Sequence, residues 1–302
     1  MVDYGDILVR VHETVRPLLG KGTVADYIPP LAEEDPARFG MALRTVDGAE
    51  FTTGEAEHAF SIQSVSKVFR LAVAMERNGD DLWKRVGREP SGTSFNSLIQ
   101  LETERGIPRN PMINAGALVV LDSVLGDGPM DPGIEFVSRC LDGAPVPYDR
   151  DVAEAERLTA HRNRALAHLL KSFGNLEGEP DEVVDAHCRE SAVTLSCLDV
   201  CRAASFLATD GHTPDGVRVL TERQVKRLNA VMLTCGVYDE AGDYAFRVGL
   251  PAKSGVGGGV LAVMPDVFTV CVWSPGLNTR GNSLAGTRAL EELTTLSGDT
   301  VF

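Results

Sequence analysis

No stretch of the 302-residue chain approaches the roughly 20 apolar residues of a membrane-spanning helix. Cys-x-x-Cys is absent as well. The six cysteines are scattered at 140, 188, 197, 201, 235 and 271, and no histidine cluster joins Cys197 and Cys201 on their shared helix face. That argues against a zinc site and for buried thiols in a reducing compartment. Basic residues are in deficit: 29 Lys and Arg stand against 43 Asp and Glu, a formal charge of −14. An acidic surface repels phosphate backbones and anionic lipid, so nucleic acid and membrane are not expected partners. The first residues, Met1 to Asp6, carry two acids and no basic region, so no signal peptide is expected and the location expected is the cytoplasm. There is no internal repeat and no low-complexity linker. Hydrophobic residues make up 43% of the chain, ample for the core of one large domain.

Apolar spacing predicts a helix from Ile7 to Leu19. Alternation over Phe39 to Thr45, the turn signal Asp47-Gly48 and Glu50-Phe51-Thr52 predict a β-hairpin. From Ser64 the period becomes helical until Gly79. Helical patterns then dominate: Ala115 to Leu125, Asp151 to Phe173, Glu182 to Arg189, Cys197 to Thr209 and Thr221 to Leu233. Strands are expected again at Ala245 to Val248 and at Pro251 to Ser254. Gly258 to Met264 and Val267 to Trp273 flank Pro265-Asp266 as a hairpin, and a last helix is expected over about Ser283 to Leu296. The expected fold class is mixed α/β (α+β): an antiparallel sheet assembled from both termini, flanked by helices, with a helical lobe inserted in the middle. On this reading, 1–75 and 235–302 form the sheet lobe and about 76–234 the helical lobe of a single 1–302 domain. A cleft between them would take a small ligand.

Ser64-Val65-Ser66-Lys67 is an S-x-x-K motif at a helix start. Residues three apart share a helix face, so Lys67 Nζ is expected to reach Ser64 Oγ. Serine needs a base to become a nucleophile, and lysine can be that base only when desolvation makes it neutral. Alone the motif arises by chance about once in a chain of this size. Lys253-Ser254-Gly255, of the form K-[ST]-G, supplies context, and Val256-Gly257-Gly258-Gly259 follows it. Such a strand can form one wall of an acyl-transfer cleft and offer a backbone N–H to an oxyanion.

These motifs belong to a longer series. Asp26-Tyr27-Ile28-Pro29-Pro30-Leu31-Ala32 comes first, then Gln63-Ser64-Val65-Ser66-Lys67-Val68-Phe69. Glu89-Pro90-Ser91-Gly92, Phe95-Asn96-Ser97, Asn110-Pro111-Met112-Ile113-Asn114-Ala115-Gly116-Ala117 and Arg162-Asn163 follow. Gly236-Val237-Tyr238-Asp239, Gly249 to Val256, Ser274-Pro275-Gly276-Leu277-Asn278 and Gly281-Asn282-Ser283 close it. In this order the series resembles the glutaminases, serine-dependent enzymes of the β-lactamase-like fold, over nearly the whole chain.

The resemblance implies roles. Ser64 matches the nucleophile, Lys67 its base, and Tyr238 a tyrosine at the reacting amide. Ser64 and Val256 match the oxyanion-hole N–H groups. Tyr27, Asn114, Glu156 and Asn163 match positions that hold glutamine. Residue chemistry agrees: Glu156 can pair with an α-ammonium, while Asn114, Asn163 and Tyr27 can donate to an α-carboxylate. Lys253, Ser254 and Gly255 would support the site. One position departs from the family: His187 stands where the family has a substrate-contacting tyrosine, so weaker glutamine binding is expected. Neither cofactor nor metal is called for, and the expected partners are the small substrate and further copies of the chain, as a homodimer or homotetramer. The alternative is a β-lactamase or penicillin-binding relative, which shares S-x-x-K and K-[ST]-G. Those enzymes usually carry S-x-N or Y-x-N on the helical lobe, where this chain has Asn-Pro-Met-Ile-Asn-Ala-Gly.

Overall fold

The computed structural model describes residues 2–92, 97–126 and 130–302. Phe95 and Asn96 of the motif series lie outside them. Among the described residues, seven strands are present in chain order: β1 Gly40–Thr45, β2 Glu50–Gly54, β3 Phe60–Ser61, β4 Thr194–Leu195, β5 Ala252–Ser254, β6 Gly259–Met264 and β7 Phe268–Trp273. Five of them form one antiparallel sheet in the order β2-β1-β7-β6-β5. The register of β1 against β7 runs from Gly40 opposite Trp273 to Thr45 opposite Phe268. Two hairpins far apart in sequence therefore join at the centre of the sheet.

Both faces of this sheet are covered, which explains why β6 and β7 read as nearly continuous apolar runs. Period-two alternation decides which neighbour each side chain meets. Met41, Leu43, Val270 and Val272 pack with Leu8, Val11, Leu290 and Leu293 from the Tyr4–Val15 and Leu284–Ser297 helices. Ala42, Leu261, Cys271 and Trp273 belong instead to the core shared with the middle of the chain. The Cys197–Ala203 helix lies against β1 and β7. Its two cysteines fit there because they are small, and they donate weakly to the Gly40 and Ala42 carbonyls, Sγ···O 3.5 and 3.2 Å.

Three local expectations need correction. Ala245 to Val248 is not a strand; the segment belongs to the Ala241–Arg247 helix, with only Tyr244 facing the core. One buried ring, Tyr244, is enough to anchor a short helix there. Asp151 to Phe173 is two helices, Arg150–Thr159 and His161–Ser172, broken at Ala160. Ser64 precedes the α-helix rather than opening it: Gln63–Val65 is a 3₁₀ turn and the helix is Ser66–Asn78. The helices Leu98–Thr103 and Pro132–Cys140 complete the middle region and were not foreseen.

Candidate active site

Ser64 stands on a backbone that its neighbours force into place. Gln63 has φ of +48°, a left-handed conformation that costs a non-glycine residue energy. Its side chain is buried and donates to Ser61 Oγ at 3.1 Å, while Ser61 Oγ donates to the Ser191 carbonyl at 3.1 Å. The turn after β5 presses on the same segment. A Cβ on Gly255 would sit 2.6 Å from the Ile62 carbonyl oxygen, and one on Gly257 would sit 2.2 Å from that of Ser61. Only glycine permits this approach, which brings Val256 beside Ser64. The Val256 N–H donates to no protein acceptor among the described residues.

Tyr238 is held as tightly. It too has positive φ, +59°, at the start of a 3₁₀ turn. Asn278 and Asn282 grip Glu240 in that turn, with Asn278 Nδ2 2.9 Å from Oε2, and Asn282 Nδ2 also donates to the Val237 carbonyl at 3.3 Å. The Ser274–Ser283 motif thus works at a distance, by fixing the Tyr238 turn. The Tyr238 phenol donates to the Ser254 carbonyl at 3.4 Å. Burial pushes its pKa up to about 12, against a downward pull from nearby Ser64, so the phenol is protonated at neutral pH.

Two lysines are fully buried here. Lys253 Nζ bonds the Gly236 and Ser254 carbonyls at 2.9 and 2.6 Å and lies 4.4 Å from the centre of the Tyr238 ring. Burial, with nearby Lys67, holds its pKa well below the lysine range. Lys67 Nζ bonds Asn114 Oδ1 at 2.7 Å and the Met112 carbonyl at 3.4 Å. The expected Lys67–Ser64 bond is absent from the described residues; the amine faces Asn114 instead. Burial, and then the Arg70 charge one helical turn on, lower the Lys67 pKa to about 7.

The facing wall is made of helix side chains. Asn110 Oδ1 accepts from the Met112 and Ile113 N–H groups at 3.0 and 3.1 Å, and Gly116 lies so close that a Cβ would be 1.9 Å from the Asn110 carbonyl oxygen. This knot sets the first residue of the Asn114–Asp122 helix. A lysine amine faces Asn114 Oδ1, so Asn114 Nδ2 donates to Asn163 Oδ1 at 2.9 Å. The Asn163 NH₂ is left as a donor toward the cleft. Glu156, on the Arg150–Thr159 helix, receives Gln63 Nε2 at 3.5 Å. Desolvation raises its pKa to about 7, against the pull of Gln63, Lys67 and Arg70. His187 is buried under the same wall.

The cleft between the walls has a volume of about 290 Å³. Its lining brings together Tyr27, Ser64, Asn114, Glu156, Asn163, His187 and Val256, all named from the sequence, with Tyr27 exposed at the mouth. Gln63, Thr159, Arg162 and Ser191 line it too and were missed as site residues. A larger hollow of about 600 Å³, lined by Glu76, Arg77, Arg139 and Asp142 among others, contains none of the expected residues. Size does not pick out the site; convergence of polar groups does.

Comparison with known proteins agrees. The glutaminase family model matches residues 22–302. A glutaminase of Ralstonia nicotianae is 54% identical over the full length of both chains, and one of Streptomyces coelicolor is 50% identical over 98% of this chain and 97% of that one. A crystal structure of a probable Bacillus subtilis glutaminase superposes with a TM-score of 0.91 at 31% identity, covering 99% and 98% of the two chains. The same organism's probable glutaminase in complex with 6-diazo-5-oxo-L-norleucine gives 0.90 at 30% identity, covering 100% and 98%. The chain belongs to the glutaminase family.

Proposed function

We propose that this cleft hydrolyses the side-chain amide of L-glutamine to L-glutamate and ammonia through an ester on Ser64. The observation that carries this is the joint placement of Ser64, nearby Tyr238 and a buried Lys67 with a pKa of about 7.

Glutamine is a zwitterion at one end and a neutral amide at the other, and the walls are polarised to match. Glu156 takes the α-ammonium. The Asn163 amide, Asn114 and Tyr27 take the α-carboxylate. The amide carbonyl lies between the Ser64 and Val256 N–H groups, which are placed for the oxyanion. Ser64 Oγ bonds to the carbonyl carbon as its proton passes to the neutral amine of Lys67. The C–N bond then breaks as Tyr238 gives its proton to the departing ammonia and takes back the one held on Lys67, which leaves the phenol protonated and the amine neutral again. Water repeats the sequence on the ester and releases glutamate. Lys253, Ser254 and Gly255 hold the Tyr238 side of the cleft. No cofactor enters this scheme. The reading extends to a cytoplasmic enzyme, supported by six buried free cysteines, and to a homodimer or homotetramer. It takes residues 1–302 as one domain with the two lobes named above. Among the described residues, no helix is long and apolar enough to cross a membrane.

The test is ammonia release from glutamine by the purified protein, with Ser64→Ala as control and a glutamine-like diazo-ketone as label. Turnover by the parent, a loss of roughly 10³-fold or more in the variant and label on the Ser64 peptide are expected. Label on a cysteine would overturn the nucleophile assignment. Hydrolysis of nitrocefin without glutamine turnover would favour the β-lactamase alternative.

A further inference from the structure

Behind the helix-side wall lies an ion pair that the scheme above does not use. Arg70 interrupts the apolar run Val68 to Met75, and its side chain has no exposure. Its Nε donates to Glu190 Oε2 at 2.6 Å. The other oxygen of Glu190 accepts the Gly133 N–H at 2.6 Å, in the first turn of the Pro132–Cys140 helix. The absence of a side chain at Gly133 allows this approach, since a Cβ would lie 2.7 Å from Glu190 Oε2. The carboxylate is therefore clamped between a guanidinium and the positive end of a helix. On its other side Arg70 meets His187, with Nη1 2.7 Å from Nδ1.

A guanidinium can only donate. The Nδ1 of His187 must then be an acceptor, and the ring proton must sit on Nε2. Burial and the Arg70 charge keep the ring neutral, well below the usual histidine pKa. His187 lines the cleft, so the ring offers one N–H to whatever is bound there. Glutamine has two kinds of acceptor, the amide oxygen and the α-carboxylate. The amide oxygen belongs at Ser64, and an ammonium accepts nothing.

We propose that Arg70 and Glu190 are positioning residues that lock His187 in the Nε2–H tautomer, so that His187 donates to the α-carboxylate of the substrate. This rests on the glutamine reading of the cleft. In this chain His187 does not act alone: the donor at this position is a three-residue device, and its specificity is for a carboxylate.

The tautomer is read by ¹⁵N NMR on histidine-labelled protein, with His187→Asn assigning the signal among the six histidines. An unprotonated, hydrogen-bonded Nδ1 and a protonated Nε2 are expected. A proton on Nδ1 would overturn the proposal, and this measurement needs no glutamine turnover, so it fails separately from the activity reading. In R70M/E190Q no buried charge is left unpaired and Gly133 keeps an acceptor, so folding is expected to hold. Its ring should populate both tautomers. KM for glutamine should rise roughly 10-fold with kcat within about threefold, the size expected for a hydrogen bond to a charged group. R70K, which retains a donor, should restore most of the loss. Turnover of 4-aminobutanamide, which lacks the carboxylate, should be the same in parent and R70M/E190Q. An unchanged KM for glutamine in R70M/E190Q, or equal losses on both substrates, would overturn the proposal.

Discussion

The two walls of the cleft are built by different means. The sheet-side wall is made from backbone: left-handed Gln63 and Tyr238, and glycines at 255 and 257 that touch the Ser61–Ser64 segment. Close backbone contacts set the position of Ser64 there. The helix-side wall is made from side chains on ordinary helices: Asn114, Glu156, Asn163 and His187, each placed by hydrogen bonds. The difference teaches where change is tolerated. A side chain on a helix can be exchanged if its partners change with it, and His187 stands on such a helix with Arg70 and Glu190 as its partners. A strained turn offers no equivalent.

Replacing Lys67 should break the sheet-side wall chemically while leaving it folded. Lys67→Met should lower kcat by at least roughly 10²-fold, as loss of a general base does. The same change should raise Tm. The folded pKa, about 7, lies below the ordinary lysine value of 10.5, so burial costs stability in full below pH 7 and the cost fades as pH rises to 10.5. A gain of about 2–5 °C at pH 7, absent near pH 11, is expected from calorimetry. In the parent, kcat should rise with pH through about 7, because losing a proton creates the reactive amine. A pH-independent kcat would contradict the assignment.

Gly257→Ala tests the backbone claim directly. The new Cβ must displace the Ser61 carbonyl and, with it, Ser64. Roughly a 10²-fold fall in kcat and about 1–3 kcal/mol of lost stability are expected. Full activity would show that the turn is looser than the close approach implies.

On the helix side, Glu156→Gln should cost roughly 10- to 100-fold in kcat/KM on glutamine, from a lost charge-assisted bond to the ammonium. The des-amino analogue should be affected far less. Equal losses on both substrates would remove Glu156 from that role.

The smallest effect sharpens the comparison most. From sequence alone, His187→Tyr restores the family's residue and should lower KM. The structure reverses that expectation. The phenol carries its oxygen past the ring, so Arg70 Nη1 loses the acceptor it has at 2.7 Å. KM should rise, by up to roughly 10-fold. A lower KM would show that the position accepts the exchange without Arg70.

Much of this site is legible in the sequence because its signals are local. S-x-x-K and K-S-G each span a few residues, and the alternation over Gly40–Thr45 and Phe268–Trp273 shows which residues share a sheet face. The order of motifs was enough to name Ser64, Lys67, Tyr238 and the residues of the facing wall. The sequence also held a sign of the buried network, a lone arginine within Val68 to Met75, but a charge in an apolar run does not name its partner. Glu190 lies 120 positions from Arg70, and Gly133 lies 57 positions before Glu190. Tertiary structure alone decided that Lys67 bonds Asn114 rather than Ser64, because a helix start one residue pair later than expected turns the lysine toward a different neighbour. It also brought Arg70 against Nδ1 of His187, the contact on which the proposed tautomer rests. Short-range pattern records periodicity and chain stiffness; the pairing of buried donors and acceptors depends on which distant segments meet in the core.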